Sequence, residues 1–393
     1  MTVSRDPAKI EELLSRGVAE IVDRTSLGSR LRAGKPLRIK LGIDPTSPHL
    51  HLGRSIALWK LRDFQELGHQ VVLILGDFTG TIGDASDKDA ERPVLDQATV
   101  DANLETYAAQ AGKILDMSRV EVRRNSEWLD KVSYRELCRQ ADVFSVNDFV
   151  SREMVAKRLK EGKRVSLREV LYPLMQGYDS VAVRADVELG GTDQRFNMLA
   201  GRDLQRLYGQ APQDIVINAL VPGTDGRKMS SSWGNTVNLD EKPREMFQKV
   251  MRLADGLVST YFSVATRVPL AEVAAVLARL EAGENPRDVK MDLAAEIVRV
   301  CHGAEAASEA RRYFVELFSE GVVPEGAPEA KVAGLSLVEA LVAAGIADSK
   351  SDARRVIEQK GVKVGGEVCE DPARVLRAGE TVERGRGRAV RAI

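Results

Sequence analysis

Five short apolar runs separated by helical patterns are the feature that most constrains the fold of this chain. They lie at residues 37–43, 71–75, 119–123, 187–189 and 215–218. Successive strands joined by a helix pair in parallel, because the helix carries the chain back to the edge at which the strand began. The pattern therefore predicts an α/β domain in which helices wrap a parallel sheet and ligands bind at the carboxyl ends of the strands.

Length and charge limit the remaining choices. The chain has 393 residues and a formal net charge of −1. Single cores seldom grow beyond about 250–300 residues, so two or three domains are expected. A chain with so little net charge has no general attraction to a polyanion, and any contact with nucleic acid must come from local basic patches.

The cysteines and the first helical pattern predict a cytoplasmic protein without membrane contact. Cys138, Cys301 and Cys369 are odd in number and widely spaced, which fits neither a disulfide framework nor a zinc site. The pattern from Ile10 to Ile21 predicts an amphipathic helix and lacks the apolar run of a signal peptide. No stretch approaches the length of a membrane span.

Changes in periodicity divide the chain into four parts. We expect a sheet domain at 1–240 with a mostly helical insertion at about 124–165, a helical domain at 241–322, a linker at 323–334 and a small α+β unit at 335–393. Helices of the second part are expected at 243–253, 269–281, 286–301 and 304–320. In the last unit, two helices precede a strand at 362–364 and one further strand carrying Arg384, Arg386, Arg388 and Arg391.

The turn after the first predicted strand combines Gly42, Asp44 and Thr46 with the segment His51-Leu52-Gly53-Arg54. The helix that follows begins with free N–H groups and the positive end of its dipole, which favour phosphate. Gly53 has no side chain, so a base or ribose can lie against the first turn. The stretch indicates a nucleotide site, and a capped turn with a surface histidine is the alternative.

A second polar motif, Lys228-Met229-Ser230-Ser231-Ser232, lies in a glycine-rich loop far downstream. A lysine and three hydroxyls suit a group that develops charge on phosphate oxygens and then leaves as pyrophosphate. The alternative is an ordinary solvated turn.

Tyr172, Gln176 and Asp179 are spaced to share one face of a helix. Ser166 and Glu169 form a plausible capping box at its start, and Pro173 is expected to bend it. A solvent-facing polar stripe is the alternative, although tyrosine is an unusual residue there. The set predicts a binding face.

The paired phosphate motifs resemble those of class I aminoacyl-tRNA synthetases, and the helix resembles the tyrosine-binding helix of bacterial tyrosyl-tRNA synthetases. The resemblance implies a Rossmann-like catalytic domain that activates L-tyrosine with ATP to tyrosyl-adenylate and transfers tyrosine to tRNA(Tyr). It implies ATP with Mg²⁺ as the substrate complex and no tightly bound metal. We also expect a homodimer.

The resemblance also implies roles for individual residues. Those expected to act on the reacting phosphates are Thr46, His51, Arg54, Lys88, Arg92, Lys228, Ser231 and Ser232. Those expected to bind the rest of ATP are Gly42, Asp44, Gly53, Gly191, Asp193, Met229 and Ser230. Those expected to bind tyrosine are Asp84, Tyr172, Gln176, Asp179 and Gln194, with Asp179 accepting a hydrogen bond from the phenol. Taken singly, Asp84 and Asp193 are also what a turn or a helix N-cap uses.

Three positions depart from the family pattern. Arg54 stands where the first motif ends in a second histidine, and Ser231 replaces the second lysine of the loop. Lys40 occupies a strand position where one branch has a tyrosine near the substrate phenol.

The C-terminal unit resembles the S4-type RNA-binding domain through residues 349–357 and the strand after them. The resemblance implies a basic face for tRNA phosphates made by Arg354, Arg355, Lys360 and Lys363. A small α/β unit with a solvated charged surface is the alternative.

Three other functions are compatible with parts of the pattern. A tryptophanyl-tRNA synthetase shares the fold and both motifs, but Asp179 and the C-terminal unit argue against it. A small-molecule nucleotidyltransferase lacks the tyrosine helix and the S4-like unit. A catalytically silent RNA-binding paralogue is motivated by Arg54 and Ser231.

Overall fold

The computed structural model describes residues 2–86, 90–91, 95–230, 233–317, 327–385 and 388–393. The chain forms two compact units. The first consists of Met1–Lys242 with Lys249–His302, and the second of Pro243–Gln248 with Gly303–Ile393.

The first unit is built on a six-stranded sheet in the order β1-β6-β5-β2-β3-β4. Its strands are β1 Val18–Ile21, β2 Arg38–Ile43, β3 Gln70–Leu75, β4 Val120–Arg124, β5 Val187–Gly190 and β6 Asp214–Asn218. All pairs among β2 to β6 are parallel, which confirms the predicted sheet. Residues of β3, β5 and β6 are almost all buried, as expected of strands covered on both faces.

The N-terminal prediction is wrong beyond Ser15. The helix α1 spans Pro7–Ser15, and Val18–Ile21 form the strand β1, which pairs antiparallel with β6. Gly17 lies between them with a φ of +62°, a left-handed conformation that glycine adopts without strain. The helix therefore stops, and the remaining apolar residues cover the edge of the sheet.

The helices up to His302 are, besides α1, α2 Arg24–Ala33, α3 Leu52–Glu66, α4 Thr79–Ile82, α5 Gln97–Ala111, α6 Ser126–Leu129, α7 Tyr134–Ala141, α8 Val146–Val150, α9 Glu153–Lys160, α10 Leu167–Ala182, α11 Arg195–Leu207, α12 Pro243–Met251, α13 Val258–Ala265, α14 Leu270–Glu281 and α15 Pro286–His302. Four short helices, α6 to α9, occupy the stretch between β4 and α10. Sequence reasoning missed α13, whose β-branched and aromatic residues are weak helix formers, although three of them are buried at helical spacing together with Ala265.

The second unit contains α16 Ala304–Val315, α17 Leu337–Ala343 and α18 Lys350–Glu358. Its sheet has the order β7-β11-β10-β8-β9. The strands are β7 Glu329–Ala330, β8 Val362–Val364, β9 Glu367–Val368, β10 Thr381–Arg384 and β11 Arg388–Ala392. The prediction of one strand through Arg384 and Arg391 is wrong, because these residues lie on two antiparallel strands, with Arg386 outside the described residues. Leu337, Leu341, Ile357 and Val362 form the centre of a separate core.

In the part of the chain that the structure describes, no helix is both long and apolar enough to cross a membrane.

Candidate active site

Asp44 lies just beyond the carboxyl end of β2, where the parallel sheet places a ligand site. Its carboxylate accepts hydrogen bonds from the hydroxyls of Tyr172 and Thr79, each at 2.7 Å. A Cβ at Gly76 would overlap this carboxylate, so only glycine lets Asp44 approach the end of β3. Asp44 thus joins the first motif to the helix α10. Sequence reasoning missed Thr79 and Gly76.

His51 precedes α3 and is buried. Desolvation, with the positive charges of Arg54 and Lys228, lowers its pKa to about 3. The imidazole of the free protein is therefore neutral at physiological pH, and its Nδ1 is buried without a hydrogen-bond partner among the described residues. It can contribute hydrogen bonds to a phosphate chain without bringing a charge.

Gly53 is where the two phosphate motifs meet. Its backbone N–H donates to Sδ of Met229 at 3.3 Å. A Cβ at Gly53 would lie 3.0 Å from Nδ1 of His51 and 3.5 Å from Cβ of Met229. The absence of a side chain therefore lets the Lys228 loop lie against the first turn of α3.

Arg54, the first departure from the family pattern, holds a neighbouring hydroxyl. Its guanidinium donates to Oγ1 of Thr46 and to the hydroxyl of Tyr107, both at 2.9 Å. Burial raises the pKa of Tyr107, against the opposing effect of Arg54. The arginine fixes the turn that carries Thr46, and Tyr107 is a partner that sequence reasoning missed.

Asn235 organises the loop that carries Lys228. Its side-chain oxygen accepts the N–H of Ser230 at 2.8 Å, and its amide donates to Asp225 at 2.8 Å and to the carbonyl of Lys228 at 3.1 Å. Nζ of Lys228 lies 3.8 Å from the carboxylate of Asp193, so the loop also reaches the segment after β5. Ser231, Ser232, Lys88 and Arg92 lie outside the described residues.

The predicted helix carrying Tyr172, Gln176 and Asp179 is present as α10. It continues through Pro173, which has no N–H for the carbonyl of Glu169 four residues earlier. Arg152 donates to that carbonyl instead, at 3.4 Å. The capping box predicted for Ser166 and Glu169 is present, and the carboxylate of Glu169 accepts the N–H of Ser166 at 3.1 Å.

Asp84, Gln194 and Gln176 are connected through Asn197, a residue that sequence reasoning missed. Gln194 donates to Asp84 at 2.8 Å. Asn197, fully buried on α11, donates to the side-chain oxygens of Gln176 at 3.0 Å and Gln194 at 3.1 Å. Asp84 also accepts the hydroxyl of Ser86 at 2.6 Å. The network brings together residues that follow β3 and β5 with a residue of α10.

Asp179 is buried at the other end of the binding face. The indole N–H of Trp128 donates to it at 2.9 Å, and the amide of Asn125 lies 3.5 Å away. Burial raises the pKa of Asp179 to about 7, while the nearby charge of Lys40 and the bond from Trp128 act in the opposite direction. A carboxylate in such surroundings favours a ligand that brings a hydrogen-bond donor.

The remaining predicted positions differ in their surroundings. A Cβ at Gly42 would meet nothing within 4 Å, whereas one at Gly191 would meet the carboxylate of Asp193.

In the second unit, Arg355 pairs with Asp352 at 2.6 Å and Lys360 with Glu370 at 2.9 Å. Arg354 and Lys363 are exposed and have no ion pair within 4 Å among the residues described. The described residues contain no group of three or more His, Cys, Asp or Glu arranged to hold a metal ion.

Two family models match this chain. Residues 32–319 match the tRNA synthetases class I (W and Y), and residues 336–382 match the S4 domain. The tyrosine–tRNA ligase of Moorella thermoacetica is 46% identical over 399 residues, covering 99% of this chain and 97% of that protein. The tyrosine–tRNA ligase of Carboxydothermus hydrogenoformans is 44% identical over 398 residues, covering 97% of each chain.

A solved structure shares the fold. A C-terminally truncated mitochondrial tyrosyl-tRNA synthetase of Aspergillus nidulans superposes with a TM-score of 0.67 at 23% identity, covering 79% of this chain and 94% of that one. The chain therefore belongs to the class I tRNA synthetases of the W and Y family, and it carries an S4 domain. Its curated relatives over nearly the full length are bacterial tyrosine–tRNA ligases.

Proposed function

We propose that this chain is a tyrosine–tRNA ligase that activates L-tyrosine with ATP and transfers it to tRNA(Tyr). The observation that carries the proposal is the buried carboxylate of Asp179, which lies on the same face of α10 as Tyr172 and Gln176. The indole N–H of Trp128 donates a hydrogen bond to it. A phenol supplies a further donor to this carboxylate, whereas a phenyl ring placed there supplies none and still keeps water away from it. The names of the curated relatives support tyrosine over tryptophan.

The first step is attack of the tyrosine carboxylate on the α-phosphorus of ATP, which is delivered with Mg²⁺ as the substrate complex. The bond between the α-phosphorus and the α,β-bridging oxygen breaks, the β- and γ-phosphates leave as pyrophosphate, and tyrosyl-adenylate forms. The attacking carboxylate is already ionised, so no general base is needed. Catalysis then depends on binding the transition state more tightly than the substrates.

The nucleotide contacts follow from the two phosphate motifs. Thr46 and the neutral His51 are proposed to bind the terminal phosphates, with Arg54 holding Thr46 in place. Lys228 with Ser230 to Ser232, and Lys88 with Arg92, are proposed to cover the phosphate chain. Residues proposed to bind the rest of ATP are Gly42, Asp44, Gly53, Gly191, Asp193 and Met229.

The amino-acid contacts follow from the network around α10. Asp84, Tyr172 and Gln176 are proposed to bind the ammonium group of tyrosine, and Gln194 to lie near its carboxylate. Asp179 is proposed to accept the phenolic hydrogen bond. The hydrogen-bonded connection from Asp84 through Gln194 and Asn197 to Gln176 supports this arrangement.

The assembly proposed for this enzyme is a homodimer in the cytoplasm. Apolar side chains are unusually exposed on α7, on α8 and at the start of α10, namely Tyr134 at 89%, Val146 at 76% and Leu167 at 71%. A second copy of the chain would cover them. Three unpaired cysteines support a reducing compartment. The division at 1–240, 241–322, 323–334 and 335–393 is also a proposal, and the S4 match at 336–382 supports its last unit.

The test of the proposed function is ATP–pyrophosphate exchange measured with each amino acid separately. We expect exchange with tyrosine and far weaker exchange with phenylalanine and tryptophan. Exchange with tryptophan alone would assign the other branch of the family. Folded protein that gives no exchange with any amino acid would point to the silent RNA-binding paralogue.

Arg354 is expected to contribute more to tRNA binding than its neighbour Arg355. Both lie on α18, but Arg355 is paired with Asp352 whereas Arg354 has no ion pair among the described residues. Arg354→Ala should lower the slope of log affinity against log salt by about 0.7–0.9, the loss of one phosphate contact. Arg355→Ala is the matched control, with a smaller expected change, and tyrosine-dependent exchange should stay unchanged in both. Equal losses in the two variants would contradict this interpretation.

A further inference from the structure

A fully buried ion pair lies beneath the binding face of α10. Lys40 of β2 and Glu188 of β5 are direct register partners on adjacent parallel strands, and their side chains are 0% and 1% exposed. Nζ of Lys40 lies 2.9 Å from the carboxylate of Glu188. Burying two charges costs desolvation energy that their attraction often only offsets, so an apolar pair would serve the sheet as well. The pair is therefore better explained by what its charges do to neighbouring groups.

Both members of the pair contact α10 on either side of Asp179. Nζ of Lys40 donates to the carbonyl of Gln176 at 2.9 Å and to the hydroxyl of Ser180 at 2.8 Å. The carboxylate of Glu188 accepts the side-chain amide of Gln176 and the hydroxyl of Ser180, each at 3.1 Å. Any change in the pair is thus transmitted to the segment from Gln176 to Ser180.

Glu188 determines which way the amide of Gln176 points. A carboxylate can only accept, so the NH₂ group of Gln176 must face Glu188 and its oxygen must face Asn197. At the far end Asp84 imposes the same constraint on Gln194, whose oxygen also faces Asn197. Asn197 therefore donates to both glutamines, and its own oxygen is left buried without a partner among the described residues.

Lys40 acts on Asp179 through its charge. The groups that face this carboxylate are Lys40 from β2, Glu188 from β5, Trp128 and Asn125 from the α6 region, and Tyr172 from its own helix. Of these, Lys40 is the largest influence that lowers the pKa of Asp179, and Glu188 raises it. With that pKa at about 7, a modest change in either charge alters the ionised fraction at neutral pH.

We propose that Lys40 and Glu188 are positioning residues that set the preference for a phenol over a phenyl ring: Lys40 supplies the positive charge opposite Asp179, and Glu188 fixes the amide of Gln176. The inference rests on the proposed tyrosine-activating function and deepens it. An ionised Asp179 that faces phenylalanine keeps the bonds from Trp128 and Asn125 but gains no donor from the ligand, which is costly, whereas a protonated Asp179 tolerates a phenyl ring better. The preference for tyrosine over phenylalanine should therefore increase as Asp179 ionises.

The experiment measures kcat/KM for tyrosine- and phenylalanine-dependent pyrophosphate exchange between pH 5.5 and 8.5. In the unaltered protein the tyrosine-to-phenylalanine ratio should rise with pH through about 7, as Asp179 ionises. Lys40→Met should move that midpoint upward by about one pH unit and lower the ratio at pH 7 by about fivefold. Glu188→Gln removes the negative neighbour and should move the midpoint downward, while raising KM for tyrosine because the amide of Gln176 is no longer fixed.

Two further variants distinguish an effect on Asp179 from a loss of stability caused by removing a buried charge. Lys40→Met/Glu188→Gln leaves no unpaired charge and should still shift the midpoint upward, since the effect of Lys40 is the larger. Lys60→Met is the matched control, because Lys60 is also buried and paired, with Asp63 on α3, but does not contact α10. It should lower the melting temperature without moving the midpoint.

Shifts of opposite sign in Lys40→Met and Glu188→Gln support the proposal, because a purely structural role would not give them. Unchanged midpoints and ratios in folded variants overturn it while leaving the proposed function intact. Absence of tyrosine-dependent exchange in the unaltered protein, measured first, overturns the proposed function and this inference with it.

Discussion

Asp179→Asn is expected to lower kcat/KM for tyrosine in pyrophosphate exchange by about 100-fold, the usual size for a buried hydrogen bond to a charged group. Asparagine keeps the shape of the side chain and the acceptor oxygen, but it removes the charge that the phenol meets beside Trp128. Activity with phenylalanine should change much less, because phenylalanine makes no bond to this carboxylate. The tyrosine-to-phenylalanine ratio should therefore narrow by at least about tenfold.

Asp214→Asn is the matched control for this change. Asp214 is also a buried aspartate whose pKa is raised by desolvation, but it lies on β6 and pairs with Arg30. Its replacement should lower stability and leave the ratio of the two amino acids as it was. A ratio unchanged in Asp179→Asn would mean that the phenol binds elsewhere.

Arg158→Met is expected to lower the free energy of unfolding of the first unit by about 3–5 kcal/mol. The guanidinium of Arg158 donates to both oxygens of Glu169 at 3.1 Å, and both side chains are completely buried. Removing Arg158 takes the ion-pair partner away from the buried carboxylate of Glu169, at the start of α10, the helix proposed to bind tyrosine. Urea denaturation followed by tryptophan fluorescence measures the change, because Trp59, Trp128 and Trp233 all lie in the first unit.

Two further variants separate the loss of a partner from the loss of the pair. Arg158→Met/Glu169→Leu removes both charges and should recover most of the stability. Arg123→Ala breaks the ion pair between Arg123 and Glu127, whose side chains are 35% and 42% exposed. It should lower the free energy of unfolding by at most about 1 kcal/mol. A loss in Arg158→Met no greater than in Arg123→Ala would contradict the structural role assigned to the buried pair.

Local spacing was enough to predict much of what the structure brings together at the candidate site. Helix α10 and the alignment of Tyr172, Gln176 and Asp179 depend on the period of one helix. The two phosphate motifs are likewise contiguous segments with recognisable side chains. Such features involve interactions over a few residues, so they can be read along the chain.

Partners far apart in the sequence could not be predicted this way. Val18–Ile21 form a strand because they pair with β6, nearly 200 residues later in the chain. The helical period of the residues before them predicted a continued helix instead. Asn197 and Asn235 look like ordinary polar residues of a helix and a loop until their neighbours are known. Arg54 could be recognised as a departure from the family pattern, but its bonds to Thr46 and Tyr107 could not.

By itself the sequence determined the α/β class, the order of the motifs along the chain and the residues that share the binding face of α10, because these follow from periodicity and from the chemistry of contiguous side chains. Only the tertiary structure decided that Lys40 faces Glu188 beneath that face and that Asp179 is buried between Trp128 and the charge of Lys40. The register of parallel strands and the burial of a carboxylate arise from the packing of segments at least 51 residues apart, and no local pattern carries that information.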